Sequence, residues 1–176
     1  MYWLAIEREA VSIDALQADM GPPVSRDAMV AVLASLRRRS LVELRGPGCF
    51  GLQPVLMEYI TTRLVTYICR EIQTTSITLF MSHALLKAQA KDYIRQIQVR
   101  LILKPIADTL IATLGKQRVE DRLSVILSRL QEASPRTPGY AGGNALNLFV
   151  YLQSDMRRRD FSHLTVWEAY LPNVHL

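Results

Sequence analysis

The chain has 176 residues, enough for one medium domain or two small ones with a buried core. Its mean hydropathy of +0.10 and its 49% content of hydrophobic residues predict apolar faces that another domain would cover. The net charge of +5 suits nucleic acid, an acidic partner or solubility alone, so charge does not choose between functions.

Targeting segments are not indicated by the sequence. Five charged side chains among the first twenty residues argue against a signal peptide, namely Glu7, Arg8, Glu9, Asp14 and Asp19. The most apolar stretch, residues 77–86, contains His83 and is far shorter than the roughly 20 apolar residues that a membrane-spanning helix needs. Cys49 and Cys69 form no CxxC pair and are expected to be reduced. We therefore expect a cytoplasmic protein that does not contact a membrane.

Residues 1–72 show the order helix, helix, helix, hairpin, helix, which predicts a winged-helix domain. A short apolar helix over residues 2–7 comes first. Ser12 caps a second helix, which ends at Gly21-Pro22-Pro23. Ser25 caps a third helix in the position of a recognition helix. The predicted buried face of that helix follows the i, i+3, i+4, i+7 rule and consists of Met29, Val32, Leu33 and Leu36.

The predicted wing is a β-hairpin. Two short apolar runs, residues 41–44 and 49–52, flank the turn-forming segment Arg45-Gly46-Pro47-Gly48. Pro54 then opens a long amphipathic helix, since proline is tolerated in the first turn. The predicted inward stripe of this helix consists of Leu56, Tyr59, Ile60, Leu64, Tyr67 and Ile68.

Residues 73–158 predict an α-helical connector. After a loop, a continuous helix is expected over residues 79–103, and a new helix begins at Lys104-Pro105 and stops at Gly115. One further helix has a clean apolar stripe formed by Val119, Leu123, Ile126, Leu127 and Leu130. The fold class that follows is mainly α.

The last part of the chain combines a predicted flexible break with a repeat. Prolines and glycines in residues 133–143 predict the break, and Asn144 is expected to cap a final helix. Residues 159–176 then place apolar side chains at a five-residue step, namely Phe161, Val166, Leu171 and Leu176. This step predicts the first coil of a pentapeptide-type β-solenoid, in which each repeat is buried only by stacking on the next. With the uncapped helix at Met1, the unfinished repeat leads us to expect a truncated product or a split gene.

No motif for catalysis or metal binding is recognisable. The sequence lacks the phosphate loop GxxxxGK[ST], the elbow GxSxG, the zinc motif HExxH and the dinucleotide motif GxGxxG, so we expect no enzyme. His83, His163 and His175 are too scattered for a metal site. The carboxylates of Glu120 and Asp121 are explained by the positive end of the helix dipole.

A winged helix raises the question of DNA. Arg26, Arg37, Arg38 and Arg45 could contact phosphates, which makes a small DNA-binding transcription regulator the alternative interpretation. The outward positions of the third helix favour packing against protein, since they are Asp27, Ala28, Ala31 and Ala34. Nucleic acid is therefore the less favoured partner. A free-standing scaffold that binds a partner protein through the connector is a third possibility.

Several stretches carry a family resemblance, among them MYWLAIERE, SLRRRSLVEL, FGLQPVLMEYITTRL, GYAGGNALNL and DFSHLTVWEAYLPNV. The chain resembles cyanobacterial signalling proteins of the STAND class, which carry an NB-ARC nucleotide-binding module. The resemblance implies a winged helix after that ATPase, then a helical connector, then WD or pentapeptide repeats as sensor. It implies a non-catalytic regulatory segment whose partners, in cis or in trans, are the ATPase module and the repeat domain. This chain alone would hold no cofactor, and ADP or ATP would enter only with an upstream NB-ARC module.

The resemblance carries over one nucleotide-site motif. The family's Met-His-Asp signature, whose histidine faces the β-phosphate of ADP, aligns with Leu52-Gln53-Pro54. Unpaired amides at a helix N-terminus favour an anion, and Gln53 adds a neutral donor. Pro54 removes one amide from the same turn. A purely structural Gln-Pro helix start is the equal alternative.

Overall fold

A computed structural model describes residues 1–20, 24–133, 137–157 and 159–172. The chain divides into two compact units, Met1–Arg63 and Leu64–Leu176. In the described residues the fold is mainly α-helical, with a small three-stranded antiparallel sheet. The expected mainly α class is therefore confirmed. Within the described ranges, no helix combines the length and the apolar character that a bilayer crossing requires.

The first unit contains α1 (Tyr2–Glu7), β1 (Val11–Ser12), α2 (Ile13–Met20), α3 (Arg26–Arg38), β2 (Glu43–Leu44), β3 (Cys49–Gly51) and the beginning of α4 (Pro54–Thr74). Strand β3 lies between the other two, with Val11 opposite Phe50 and Glu43 opposite Gly51. The predicted hairpin is confirmed, whereas strand β1 was not predicted. The large buried side chains of this unit include Trp3, Leu4, Ile6, Leu16, Met29, Leu33 and Leu52.

Helix α3 begins where the sequence predicts, but fewer of its side chains are buried than the sequence predicts. The Ser25 hydroxyl oxygen accepts a hydrogen bond from the Ala28 amide at 3.2 Å, which confirms the cap. Met29 and Leu33 are buried, but Val32 is 57% exposed, so its predicted burial is wrong. A helix turns through about 100° per residue, which places Val32 beside the buried face rather than on it. Tyr59 of α4 is likewise 57% exposed, against its predicted inward position.

The second unit contains the end of α4, α5 (Leu79–Ser82), α6 (Asp92–Gln98), a π-helical segment (Val99–Leu103), α7 (Lys104–Leu114), α8 (Lys116–Ala133) and α9 (Ala141–Tyr151). The apolar stripe predicted for α8 contributes four buried side chains, those of Val119, Leu123, Ile126 and Leu127. Gly115 ends α7 with φ of 80°, as its position in the sequence predicts.

The continuous helix predicted over residues 79–103 is wrong. Helix α5 ends after Ser82, His83 is extended, and the chain is irregular until α6. The backbone groups freed by this break bond to the side chain of Asn144, which is 1% exposed. Its amide nitrogen donates to the carbonyls of Phe80 and His83 at 2.8 Å each, and its oxygen accepts from the Leu85 amide at 2.8 Å. A side chain about 60 positions away therefore replaces the helical hydrogen bonds.

Lys104-Pro105 does not begin a new helix, because α6, the π-helical segment and α7 are continuous. The Lys104 amide donates to the Val99 carbonyl, five residues earlier, which is the π-helical pattern. Pro105 has no amide hydrogen and its ring would crowd the carbonyl of the preceding turn. The wider π-turn accommodates this proline inside the helix.

Helix α8 ends at Ala133 and α9 begins at Ala141, so the helices are interrupted within the predicted range, of which residues 134–136 lie outside the described residues. Helix α9 begins at Ala141 with Tyr140 as N-cap, so Asn144 lies inside the helix and does not cap it. Gly142 and Gly143 serve close packing instead of flexibility. A methyl group on Gly143 would lie 2.9 Å from the Trp167 carbonyl carbon, which is too close for any other residue.

The segment at residues 159–172 follows the surface of α9 and has no strand. The side chain of Asn147 in α9 bonds to the backbone of this segment. Its amide nitrogen donates to the Glu168 carbonyl at 2.9 Å, and its oxygen accepts from the Tyr170 amide at 2.8 Å. Of the predicted inward residues, Phe161 and Leu171 are half-buried, Val166 is 40% exposed, and Leu176 lies outside the described residues. The inward position predicted for Val166 is therefore wrong.

Candidate functional site

The start of helix α4 carries the candidate nucleotide-contacting residues. Leu52 is fully buried and anchors the segment, whereas Gln53 and Pro54 are exposed. The Gln53 carbonyl accepts the first helical hydrogen bond from the Met57 amide at 2.8 Å. Because Pro54 has no amide hydrogen, only the next amides of this turn can reach an outside acceptor. Local structure thus leaves the Gln53 side chain accessible.

Arg45 lies against the same helix start, a proximity that the sequence did not reveal. Its guanidinium donates to the Leu52 carbonyl at 3.1 Å and to the Glu43 carboxylate at 3.2 Å. Gly51 makes room for it, since a methyl group there would lie 3.2 Å from the Arg45 side chain. The structure therefore brings Arg45 and Leu52-Gln53-Pro54 together, so a cation lies beside the predicted anion-binding turn.

The other arginines considered for phosphate contact differ in their surroundings. Arg26 is exposed and forms an ion pair with Asp14. Arg37 and Arg38 are exposed in the last turn of α3, and within the described residues neither has a carboxylate partner. Two of the four cations, Arg26 and Arg45, are thus already compensated by carboxylates. This arrangement leaves a small uncompensated patch at the C-terminal end of α3.

The exposed surface of α3 is small and apolar along much of its length. Asp27, Ala28 and Ala31 are exposed as predicted, and Ala34 is half-buried. Val30 and Val32 add apolar surface, at 44% and 57% exposure. A helix that read base edges would present polar side chains here.

The histidines, cysteines and carboxylates are the side chains that could bind a metal ion or act as nucleophiles. They contain no group of three His, Cys, Asp or Glu side chains that could hold a metal ion. His83 and His163 lie apart in the chain, and His175 lies outside the described residues. Burial lowers the pKa of His83 to about 4 and raises the pKa of Cys69 to about 11. The Cys69 thiol is therefore protonated and unreactive at neutral pH.

Glu120 has a different role from the predicted interaction with the helix dipole. It is 8% exposed, and its carboxylate accepts from Ser154 at 2.7 Å and from Arg159 at 3.2 Å. The Arg159 guanidinium also lies 4.2 Å from the centre of the Phe149 ring. Arg159 therefore joins α8 to the segment after α9.

Comparison with known proteins places the sequence beside one cyanobacterial relative. The chain is 40% identical, over 210 aligned residues, to an uncharacterized WD repeat-containing protein of Nostoc sp.. The alignment covers 100% of this chain but only 17% of the relative, so the chain spans about a sixth of that protein's length. No protein-family description matches the sequence. No solved structure matches it either.

Proposed function

We propose that the chain is a non-catalytic regulatory and interaction segment of a STAND-type signalling ATPase, coupling an NB-ARC nucleotide-binding module to a repeat sensor domain. The observation that carries this proposal is the exposed face of α3, where Ala28, Ala31 and Val32 offer close packing to another protein surface. The Nostoc relative supports the sensor part, since its name records WD repeats.

The first unit is a winged helix in this proposal. The three helices precede the hairpin, and β1 from between α1 and α2 pairs with β3, giving the sheet order β1-β3-β2. The pairing of β1, which lies between two helices, with the β2–β3 hairpin supports a winged-helix topology. A winged-helix fold alone does not show that a protein binds DNA, because one fold supports several functions and the residues of the site determine which one is present.

The start of α4 is the contact point for bound ADP in this proposal. Gln53 donates from its side-chain amide, and the free amides of the first turn attract a phosphate. Arg45 lies at the same turn and adds guanidinium donors that a glutamine lacks, although part of its charge is balanced by the Glu43 carboxylate. The proposal is thus that Gln53 and Arg45 together stand where the family's histidine faces the β-phosphate.

The segment at residues 159–172 is the opening coil of a five-residue repeat in this proposal. His163 and Glu168 both have positive φ, 59° and 56°, at a spacing of five residues. A positive φ that recurs every five residues supports a chain that changes direction once in each five-residue repeat.

Release of ADP tests the regulatory proposal. The measurement uses the full-length product that joins an NB-ARC module to this chain, loaded with a fluorescent ADP analogue. Arg45→Ala and Gln53→Ala should each speed ADP release severalfold. Arg37→Ala, at an exposed arginine in the last turn of α3, should leave it unchanged. Equal release rates in all variants would refute the role of the α4 start.

The DNA-binding alternative rests on the uncompensated pair Arg37 and Arg38. It predicts duplex affinity that falls steeply with salt, and that falls again in Arg37→Gln/Arg38→Gln. We expect no such dependence, because α3 exposes one carboxylate and methyl groups, those of Asp27, Ala28 and Ala31, where a DNA-binding helix would contact the duplex. A strong salt slope, weakened by the double substitution, would favour the transcription regulator over the signalling segment.

A further inference from the structure

An open groove of about 450 Å³ runs along the continuous helix formed by α6, the π-helical segment and α7. One wall is helical and presents Gln96, Arg100 and Lys104, and the other is formed by Tyr170 from the segment after α9. Arg95 and Asp92 lie at one end. A volume of this size falls in the range of ligand sites, about 300 to 1,000 Å³.

Arg95 lies at one end of the groove and is held there by several contacts. Its guanidinium donates to the carbonyls of Ala88 and Ala90 at 2.9 Å each, and it pairs with Asp92. The same group stacks 4.1 Å from the centre of the Tyr170 ring. Arg95 therefore fixes the aromatic wall, and its charge is already balanced.

The helical wall, in contrast, carries donors that are not used by the fold. In the described part of the chain, Arg100 is exposed and has no ion-pair partner, and Gln96 has no side-chain hydrogen bond. Lys104 donates to Asp108 at 2.6 Å and keeps further ammonium hydrogens. The hydrogen bond to Asp108 raises the pKa of Lys104, so the ammonium is charged at neutral pH. The wall thus offers the unpaired guanidinium of Arg100 and the ammonium of Lys104, which is held by an exposed ion pair with Asp108 that water screens.

The spacing of the two cations indicates the shape of the ligand. Arg100 and Lys104 are four residues apart on the same wall, so that their side chains start about 5 to 6 Å from each other. Alternate side chains of an extended peptide are about 6.6 to 6.8 Å apart and point to the same side.

We propose that this groove binds an extended acidic peptide of a partner protein, whose alternate carboxylates pair with Arg100 and Lys104. The Gln96 amide donates to the peptide backbone, and Tyr170 closes the opposite side of the groove. Arginine binds carboxylates in bidentate geometry, which gives the site direction as well as charge. This inference is independent of the proposed function, and either can fail without the other.

Binding of a fluorescein-labelled hexaglutamate peptide tests the proposal, measured by anisotropy with the purified chain. Arg100→Gln/Lys104→Gln should weaken binding at least about tenfold, since two charge-assisted contacts are lost. The matched control is Arg118→Gln/Arg122→Gln, which removes the same charge at the same spacing from exposed positions of α8. The control should change affinity less than about twofold.

Three results would overturn the proposal. They are an undetectable affinity of the unaltered chain, an equal loss in both double variants, and displacement of the peptide by inorganic phosphate at equal concentration. The last would assign the groove to a small anion instead. Tyr170→Ala supplies a second variant, for which we expect a severalfold loss of affinity with an unchanged far-ultraviolet circular dichroism spectrum.

Discussion

Replacement of Asn144 by alanine should destabilise the second unit strongly. The Asn144 side chain is 1% exposed and makes three hydrogen bonds to backbone groups between Phe80 and Leu85. Each buried group left without a partner costs about 1 to 3 kcal/mol. Alanine regains at most about 0.7 kcal/mol of helix propensity, and the loop relaxes in part. The net loss in free energy of unfolding is therefore about 3 kcal/mol.

Urea denaturation followed by circular dichroism measures this loss. If the free energy of unfolding falls by about 2 kcal/mol per M urea, the midpoint of the urea transition should fall by about 1.5 M. Amide hydrogen exchange gives a local readout, because the Leu85 amide donates to the Asn144 oxygen and should lose its protection.

Asn147→Ala is the matched control, since it removes two hydrogen bonds to a single surface segment. It should cost about 1 to 2 kcal/mol and leave Leu85 protected. The reasoning would be refuted if Asn144→Ala shifted the midpoint by less than about 0.5 M and the Leu85 amide exchanged as in the unaltered chain.

Three further changes test other contacts of the second unit. Gly143→Ala should displace the segment that includes Trp167 and shift tryptophan emission to the red, because the added methyl group would meet its backbone. Glu120→Gln should cost about 2 kcal/mol, since the half-buried Arg159 loses its carboxylate. For His83, burial lowers the pKa of the folded form to about 4, so stability should fall as the pH drops from about 6.5 to 4. His83→Gln should flatten that pH dependence.

Each of these three expectations has a control variant or an outcome that would contradict it. Asp121→Asn, at an exposed position next to Glu120, should alter the free energy of unfolding by less than about 0.5 kcal/mol. An equal effect of the two substitutions would contradict the role of the Glu120–Arg159 pair. Unchanged emission in Gly143→Ala, or a His83→Gln variant as sensitive to acid as the original, would contradict the other two expectations.

Signals carried by neighbouring residues predict this fold well. The Ser25 cap, the proline start of α4 and the Gly115 stop are each local, because a cap bonds within its own first turn and a glycine is chosen for its own φ. The hairpin around Arg45-Gly46-Pro47-Gly48 is local in the same sense. Such features need no knowledge of distant parts of the chain.

The failures arise where a distant residue replaces a local interaction. The stretch after Ser82 has apolar residues and few breakers, yet it leaves the helix because Asn144 binds its backbone. Gly142 and Gly143 signal a break by composition, but another segment packs against them. The same holds for the candidate site, since Arg45 reaches the α4 start through a contact with Leu52 that the sequence does not encode as a motif.

The most direct test of the central proposal is to read the transcript that encodes this chain on both sides of its reading frame. The account predicts a phosphate-loop NB-ARC module upstream and WD or pentapeptide repeats downstream, in frame or separated by a frameshift. A transcript with its own promoter and genuine stop codons, carrying neither module, would contradict the coupling of a nucleotide-binding module to a repeat sensor through this chain.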